Sequence, residues 1–200
     1  MVDIYLVGVG GQGIFTASKI IGEAAMLAGQ KVVLSETHGM AQRGGSVVCT
    51  ARIGDVSGPL ISDAGADVVL SFELLETLRA ICKASKDTLV IASTETWIPL
   101  SVSTQKMRYP SIEEVRKRLD SASKMAVLVD SRGMAERAGV PISSNVVMVG
   151  ALAGTGITGI DRGHFEEALK RAIPRKVDEN LKAFSSGFEE GKNALKRKMA

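Results

Sequence analysis

A short run, Asp3-Ile4-Tyr5-Leu6-Val7, leads without a break into Gly8-Val9-Gly10-Gly11-Gln12-Gly13. Beyond it, apolar residues recur every three or four positions at Ile14, Ala17, Ile21, Ala24 and Ala28. A buried strand, a turn that only glycine backbone tolerates, and a helix over Ile14 to Ala28 follow from that pattern. Gly29 stops the helix, and Lys31 to Glu36 reads as a second strand. The order commits the chain to an α/β architecture from its first residues. Gly8, Gly10 and Gly13 also stand in the G-x-G-x-x-G spacing, with Glu36 closing the second strand, as in a dinucleotide fingerprint. Helix N-termini present free N–H groups to anions, so a flavin, a nicotinamide or a CoA phosphate satisfies the same physics. Glycines equally permit close packing against another chain with no ligand at all.

The remaining sequence repeats the alternation. Strands are expected at Ser46–Ile53, Asp67–Phe72, Thr88–Ser93 and Met125–Asp130, with helices over Glu73–Lys83, from Tyr109-Pro110-Ser111 onward, and over Met134–Ala138. Ser111 and Glu114 have the capping-box spacing. Pro141 to Asn145 reads as a return to the sheet. Val146 to Ala153 reads as a buried helix, whose small-residue end at Gly150 and Gly154 suits close packing. Asp161–Ala172 is amphipathic through Phe165, Ala168, Leu169 and Ala172. A long helix from Lys176 to the end carries the stripe Val177, Leu181, Phe184 and Phe188. The sum is one Rossmann-like three-layer sandwich with a mainly parallel sheet and a long C-terminal helix, one domain over 1–200. Two hundred residues suffice to bury roughly 70% of the unfolded surface.

A second stretch carries more directional chemistry than a strand connection requires: Glu36-Thr37-His38-Gly39-Met40-Ala41-Gln42-Arg43-Gly44-Gly45-Ser46. Arg43 offers a planar fork of donors to a carboxylate or phosphate. Because this loop and the glycine loop both follow strands, both belong at the carboxyl edge of the sheet, side by side. The other reading of the stretch is a glycine-rich turn whose His and Arg are solvated or paired within the fold.

Autonomous catalysis finds little support. His164, in the first turn of its helix, reads as exposed and inert, and His38 has no serine or cysteine nucleophile near it in sequence. The G-x-S-x-G, H-E-x-x-H and P-loop patterns are missing. Cys49 and Cys82 are too few for an iron–sulfur cluster or a tetrahedral zinc site, and both read as buried thiols of a reducing compartment. The net charge of +3 gathers at Lys192, Lys196, Arg197 and Lys198, which reads as a solvated helix end and not as a nucleic-acid surface. No apolar run has membrane-spanning length, and Asp3 argues against a signal peptide, so a cytoplasmic protein is expected. Trp97, the only tryptophan, reads as a local anchor or a partner contact.

The two glycine-bearing motifs together resemble the gamma-type domain of the 2-oxoacid:ferredoxin oxidoreductases. Further markers are Ala66-Asp67-Val68-Val69-Leu70 with Phe72-Glu73, Asn145 to Leu152, and Asn180-Leu181-Lys182-Ala183-Phe184, so the likeness spans nearly the whole chain. A free-standing chain with Tyr109-Pro110 at its middle looks most like the beta subunit of the indolepyruvate branch. The resemblance implies a gamma-type catalytic domain over 1–200 that works inside a complex and carries no catalytic residue or metal of its own. A larger alpha subunit would hold thiamine diphosphate and iron–sulfur clusters, decarboxylate a 2-oxoacid onto CoA and pass electrons to ferredoxin. Gly10, Gly11, Gln12, Gly13 and Arg43 are then the candidates for CoA-phosphate or partner contact. Gly8, Glu36, His38, Gly39, Met40, Gln42, Gly44, Gly45 and Ser46 would support the loops, with Glu36 orienting His38 or Arg43. Two alternatives stand beside this: the gamma subunit of a pyruvate, 2-oxoisovalerate or 2-oxoglutarate enzyme, and a stand-alone Rossmann nucleotide-binding regulatory module. An isolated chain could also form a homodimer.

Overall fold

The computed structural model describes residues 1–36, 44–97 and 109–199. Among these, six strands form one sheet in the order β2-β3-β1-β4-β5-β6. They are β1 (Val2–Val9), β2 (Val32–Glu36), β3 (Ser46–Ile53), β4 (Val68–Ser71), β5 (Leu89–Ser93) and β6 (Met125–Val129). The helices are α1 (Ile14–Leu27), α2 (Leu74–Arg79) with a 3₁₀ turn over Ala80–Lys83, α3 (Ile112–Ala122), α4 (Ser131–Arg137), α5 (Ser144–Gly154), α6 (Arg162–Ala172) and α7 (Val177–Met199).

The β1–β4, β4–β5 and β5–β6 ladders are parallel, as expected from strands alternating with helices. β3 is the exception. It runs antiparallel between β1 and β2, pairing Val2 with Ile53 on one side and Val32 with Ile53 on the other. The first two strands therefore do not touch, and the dinucleotide-binding βαβ unit suggested by the glycine spacing is not formed.

Alternation along the strands divides the core between the two faces. Ile4, Leu6, Val68, Leu70 and Ile91 point to one face, where α1, α5, α6 and α7 cover them. Val7, Val69, Val90 and Ala92 point to the other and pack with Leu74 of α2 and with Val115 and Leu119 of α3. Helix α3 begins as its sequence dictates, with Ser111 Oγ accepting from Glu114 N and the Glu114 carboxylate accepting from Ser111 N.

Helices α5 and α7 pack backbone to backbone. A Cβ added at Gly150 or Gly154 would stand 2.2 Å or 2.0 Å from the carbonyl oxygens of Phe184 and Phe188. Reciprocally, one at Gly187 or Gly191 would stand 2.0 Å or 2.1 Å from those of Val147 and Ala151. Four glycines at i, i+4 spacing thus bring the two helix axes together and allow Cα–H groups to face carbonyls.

Three expectations need correction. Pro141 to Asn145 does not return to the sheet; it is a turn leading into α5, because Pro141 is followed by a helix start at Ser144. Cys82 is exposed, since the end of α2 tightens into the 3₁₀ turn and leaves the thiol at the surface, whereas Cys49 is buried. His164 is half-buried, and its Nδ1 is enclosed without a hydrogen-bond partner.

Candidate functional site

Strands β1, β4, β5 and β6 all end at one edge of the sheet, and the glycine loop leaves β1 there. Its shape is set from within. Gln12 is 6% exposed; its Oε1 accepts from Val9 N at 2.8 Å and its Nε2 donates to Phe72 O at 2.8 Å. The side chain therefore pins the loop to the ends of β1 and β4 and turns inward, while Gly11 is exposed, Gly13 half-buried and Gly10 buried. Gly11 and Gly13 take φ of +110° and +74°, where a side chain is strained. Gly8 lies inside β1, and a Cβ there would meet Phe72 Cβ at 2.9 Å.

The second loop meets the first as expected. Gly10 N donates to Gly45 O at 2.8 Å, and Gly44 N donates to Gly10 O at 3.1 Å, so the two loops share a short backbone ladder. His38, Gly39, Met40, Gln42 and Arg43 lie outside the described residues. Glu36 accepts from Ser18 Oγ of α1 at 3.3 Å and pairs in register with Cys49. Burial pushes the Cys49 thiol up to about 12, with Ser18 opposing and Glu36 adding to the shift, so this cysteine stays protonated and unreactive.

Two helix starts converge on the loop. Gly13 is the N-cap of α1, and Asn145, in the first turn of α5, donates its Nδ2 to Gly13 O at 3.1 Å. A Cβ at Gly13 would stand 2.5 Å from that Nδ2. The first helical bond of α1 is Ala17 N to Gly13 O, and no side chain caps the helix. A cavity of about 250 Å³ opens at this end, lined by Gly10, Gly11, Gly13, Ile14, Phe15, Thr16 and Val47. Trp97 is 42% exposed, with its ring 3.9 Å from the Cβ direction of Gly11. A larger cleft of about 550 Å³ between α2 and α3 has Leu75, Leu78, Pro110, Glu114, Lys117, Arg118 and Ser121 for walls and is separate from the glycine loop.

Beneath the loops lie two fully buried carboxylates: Glu73, which the sequence offers only as part of a family marker, and Glu76, which it does not single out. Glu73 caps α2 by accepting from Glu76 N at 3.0 Å and accepts a second hydrogen bond from Tyr109 Oη. Glu76 accepts from Ser46 Oγ and pairs with Arg79. Burial raises the Glu73 carboxyl above its ordinary value against the opposing hydrogen bonds, and burial together with Glu73 raises the Tyr109 phenol. Each carboxylate holds the near end of a neighbouring segment, Ser46 after the second loop and Tyr109 before α3. The E-x-x-E spacing at a strand end was the available signal, since an acid at the N-cap and another three residues on both favour a helix start.

Among the described residues, no cluster of three or more His, Cys, Asp or Glu side chains has metal-binding proximity, and no helix is long and apolar enough to cross a membrane. The arrangement offers a rigid glycine surface, an uncapped helix start suited to an anion, and an exposed indole beside them.

Comparison with known proteins places this geometry. Residues 3–190 match the pyruvate ferredoxin/flavodoxin oxidoreductase family. The chain is 45% identical over 189 residues to the indolepyruvate oxidoreductase subunit IorB of Archaeoglobus fulgidus, covering 94% of both chains. It is 42% identical to the subunit of the same name from Methanothermobacter thermautotrophicus, covering 93% of this chain and 95% of that one. Among solved structures, the 2-oxoglutarate:ferredoxin oxidoreductase of Magnetococcus marinus, determined with 2-oxoglutarate, coenzyme A and succinyl-CoA, superposes with a TM-score of 0.71 at 21% identity. That match covers 96% of this chain but 31% of the other, so there the same fold is one part of a longer polypeptide.

Proposed function

Because the chain belongs to the pyruvate ferredoxin/flavodoxin oxidoreductase family, we propose that it is the beta subunit of an indolepyruvate ferredoxin oxidoreductase. The observation that carries this reading is the 45% identity to an indolepyruvate oxidoreductase subunit IorB, over 94% of both chains. The work of the assembly is CoA-dependent oxidative decarboxylation of an aryl 2-oxoacid with electrons delivered to ferredoxin. Thiamine diphosphate and the iron–sulfur clusters belong to a larger alpha subunit, and this chain is inactive alone.

The geometry supports a positioning role. Glycine backbone at Gly11 and Gly13 permits close approach of a phosphate or of partner backbone, Gly10 being engaged by the second loop, and the α1 start favours negative charge there. The 250 Å³ cavity is large enough for a diphosphate but not for a whole dinucleotide. The separation of β1 from β2 by β3 further removes the neighbour on which a dinucleotide ribose would rest. Arg43 is assigned to the same phosphate or to a partner carboxylate.

Co-expression with the alpha subunit tests the reading. The purified complex is expected to contain iron and thiamine and to reduce viologen with indolepyruvate and CoA faster than with pyruvate, 2-oxoisovalerate or 2-oxoglutarate. Arg43→Ala is expected to raise the KM for CoA or weaken assembly by about tenfold, the worth of one charge-assisted contact. A chain that purifies alone and binds NAD or FAD tightly would refute the assignment.

A further inference from the structure

The junction between β4 and α2 holds the glycine loop from two directions. On one side, Gln12 Nε2 donates to the carbonyl of Phe72, the neighbour of Glu73. On the other, Glu76 Oε2 accepts from Ser46 Oγ at 2.5 Å. Ser46 stands opposite Val9 in the β1–β3 register. The two residues before it carry the ladder to the glycine loop, through Gly10 N to Gly45 O and Gly44 N to Gly10 O. Both backbone polar groups of Gly10 are thereby engaged, and the exposed Gly11 starts from a fixed point.

A carboxylate is a costly choice for position 76. The Glu76 side chain is wholly enclosed, and an enclosed carboxylate is unfavourable unless its oxygens are satisfied. Helix α2 does not require it: Glu73 supplies the N-cap, and leucine, methionine or glutamine would extend the helix as well. Its oxygens are divided between Arg79 on the same helix and Ser46 on another element. The second of these contacts joins α2 to the point where the second loop enters β3. Glu76 is itself held firmly, because its N–H donates to Glu73 Oε2 at 3.0 Å and Glu73 accepts from Tyr109 Oη on its other oxygen.

We propose that Glu76 is a positioning residue for coenzyme A. Through Ser46 and the ladder to Gly10, it holds Gly11 and Gly13 in the shape that admits a phosphate, without touching the ligand. This rests on the CoA reading of the glycine loop given above. With the tether cut, the loop occupies that shape for only part of the time, and affinity for CoA falls by that fraction. Steps that do not involve the loop keep their rates.

Ser46→Ala in the co-expressed complex tests this, with Ser46→Thr as the variant that keeps the hydroxyl. Ser46 lies at the surface, so both are expected to fold and assemble. In Ser46→Ala the KM for CoA is expected to rise about five- to tenfold, with kcat and the KM for indolepyruvate unchanged. In Ser46→Thr it should return to within about twofold of wild type. Residue-resolved hydrogen exchange on the same complexes gives a readout apart from turnover. The Gly10 and Gly44 amides are expected to exchange at least about fivefold faster in Ser46→Ala, while those of Leu6 and Ile91 in the centre of the sheet are unchanged. Unchanged exchange at Gly10 and Gly44 overturns the tether. Faster exchange with an unchanged KM for CoA overturns the positioning role. Weakened assembly at an unchanged KM assigns the loop to the partner subunit and overturns the proposal as well. All three results leave the subunit reading standing, whereas an unaltered complex that turns over indolepyruvate without CoA overturns both. Glu76→Met cuts the same link from its other end. It is expected to reproduce the rise in KM, and adding Ser46→Ala should deepen that rise no further; an additive double variant refutes a shared link.

Discussion

Gly150→Ala puts the α5–α7 contact to a quantitative test. In an ordinary exposed helix interior the change stabilises by up to about 1 kcal/mol, because alanine loses less backbone entropy. Here the new methyl would stand 2.2 Å from Phe184 O and 3.0 Å from its carbonyl carbon. A relaxed carbon–oxygen contact needs about 3.3 Å, so the helices must part by roughly 1 Å. Helix α5 cannot yield, since residues from Ser144 to Ala153 are buried against the sheet and its neighbours. Helix α7 must move outward, loosening Phe184 from Phe165 and Phe188, whose ring centroids both lie 6.2 Å from it. Overpacking of this kind costs about 1–3 kcal/mol, and a clash with backbone belongs at the upper end. The expected loss is therefore about 3 kcal/mol, or roughly 6–12 °C in Tm for a chain of this size. Urea denaturation followed by circular dichroism measures it. Gly163→Ala is the matched control: it sits in α6 with open space around its Cβ and should be neutral or slightly stabilising. Adding Gly187→Ala should cost much less than a second full penalty, because one separation relieves both clashes. If Gly150→Ala raises the Tm as the control does, the reasoning about backbone contact is wrong.

Two further outcomes follow from the loops and the buried acids. Gln12→Leu strands Val9 N and Phe72 O without partners, and a loss of about 2–4 kcal/mol is expected in the same denaturation assay; a loss below about 1 kcal/mol would show that the loop holds its shape without the side chain. Glu73 has a folded-state pKa raised above its ordinary 4.5 by burial, so the folded chain binds the proton more tightly than the unfolded one. Its contribution is fully present below pH 4.5 and is lost as pH rises through the folded value. Wild-type stability should consequently fall relative to Glu73→Gln as pH increases above 4.5, and parallel pH profiles for the two proteins would contradict this.

Local features of the sequence carried most of the architecture. The apolar run, glycine loop and amphipathic stretch became β1, the loop and α1, and Ser111 with Glu114 formed the expected capping box. Those signals lie within a few residues of one another. The position of β3 was not legible, because Val2 and Ile53 meet across half a hundred residues and no local pattern marks which strand a run will join. The side-by-side placement of the two loops was legible from strand direction alone, and the Gly10–Gly45 bond bears it out. The inward turn of Gln12 was not, since its second partner, Phe72 O, is 60 residues away. Glu73 was hidden for the same reason: an acid beside an apolar run looks like a surface residue until Tyr109 arrives from another element to satisfy it.

The glycine-stitched helix pair also sets an order of events during synthesis. Helix α5 is apolar almost throughout and is made well before its cover, because Gly187 and Gly191 belong to α7, which follows it with α6 in between. Strands and α1 can collapse as they emerge, but one face of α5 stays bare until α7 has followed it out. A nascent chain in this condition is a natural client for holding chaperones, and truncations within α7 should yield insoluble protein even though every residue of the glycine loop is intact.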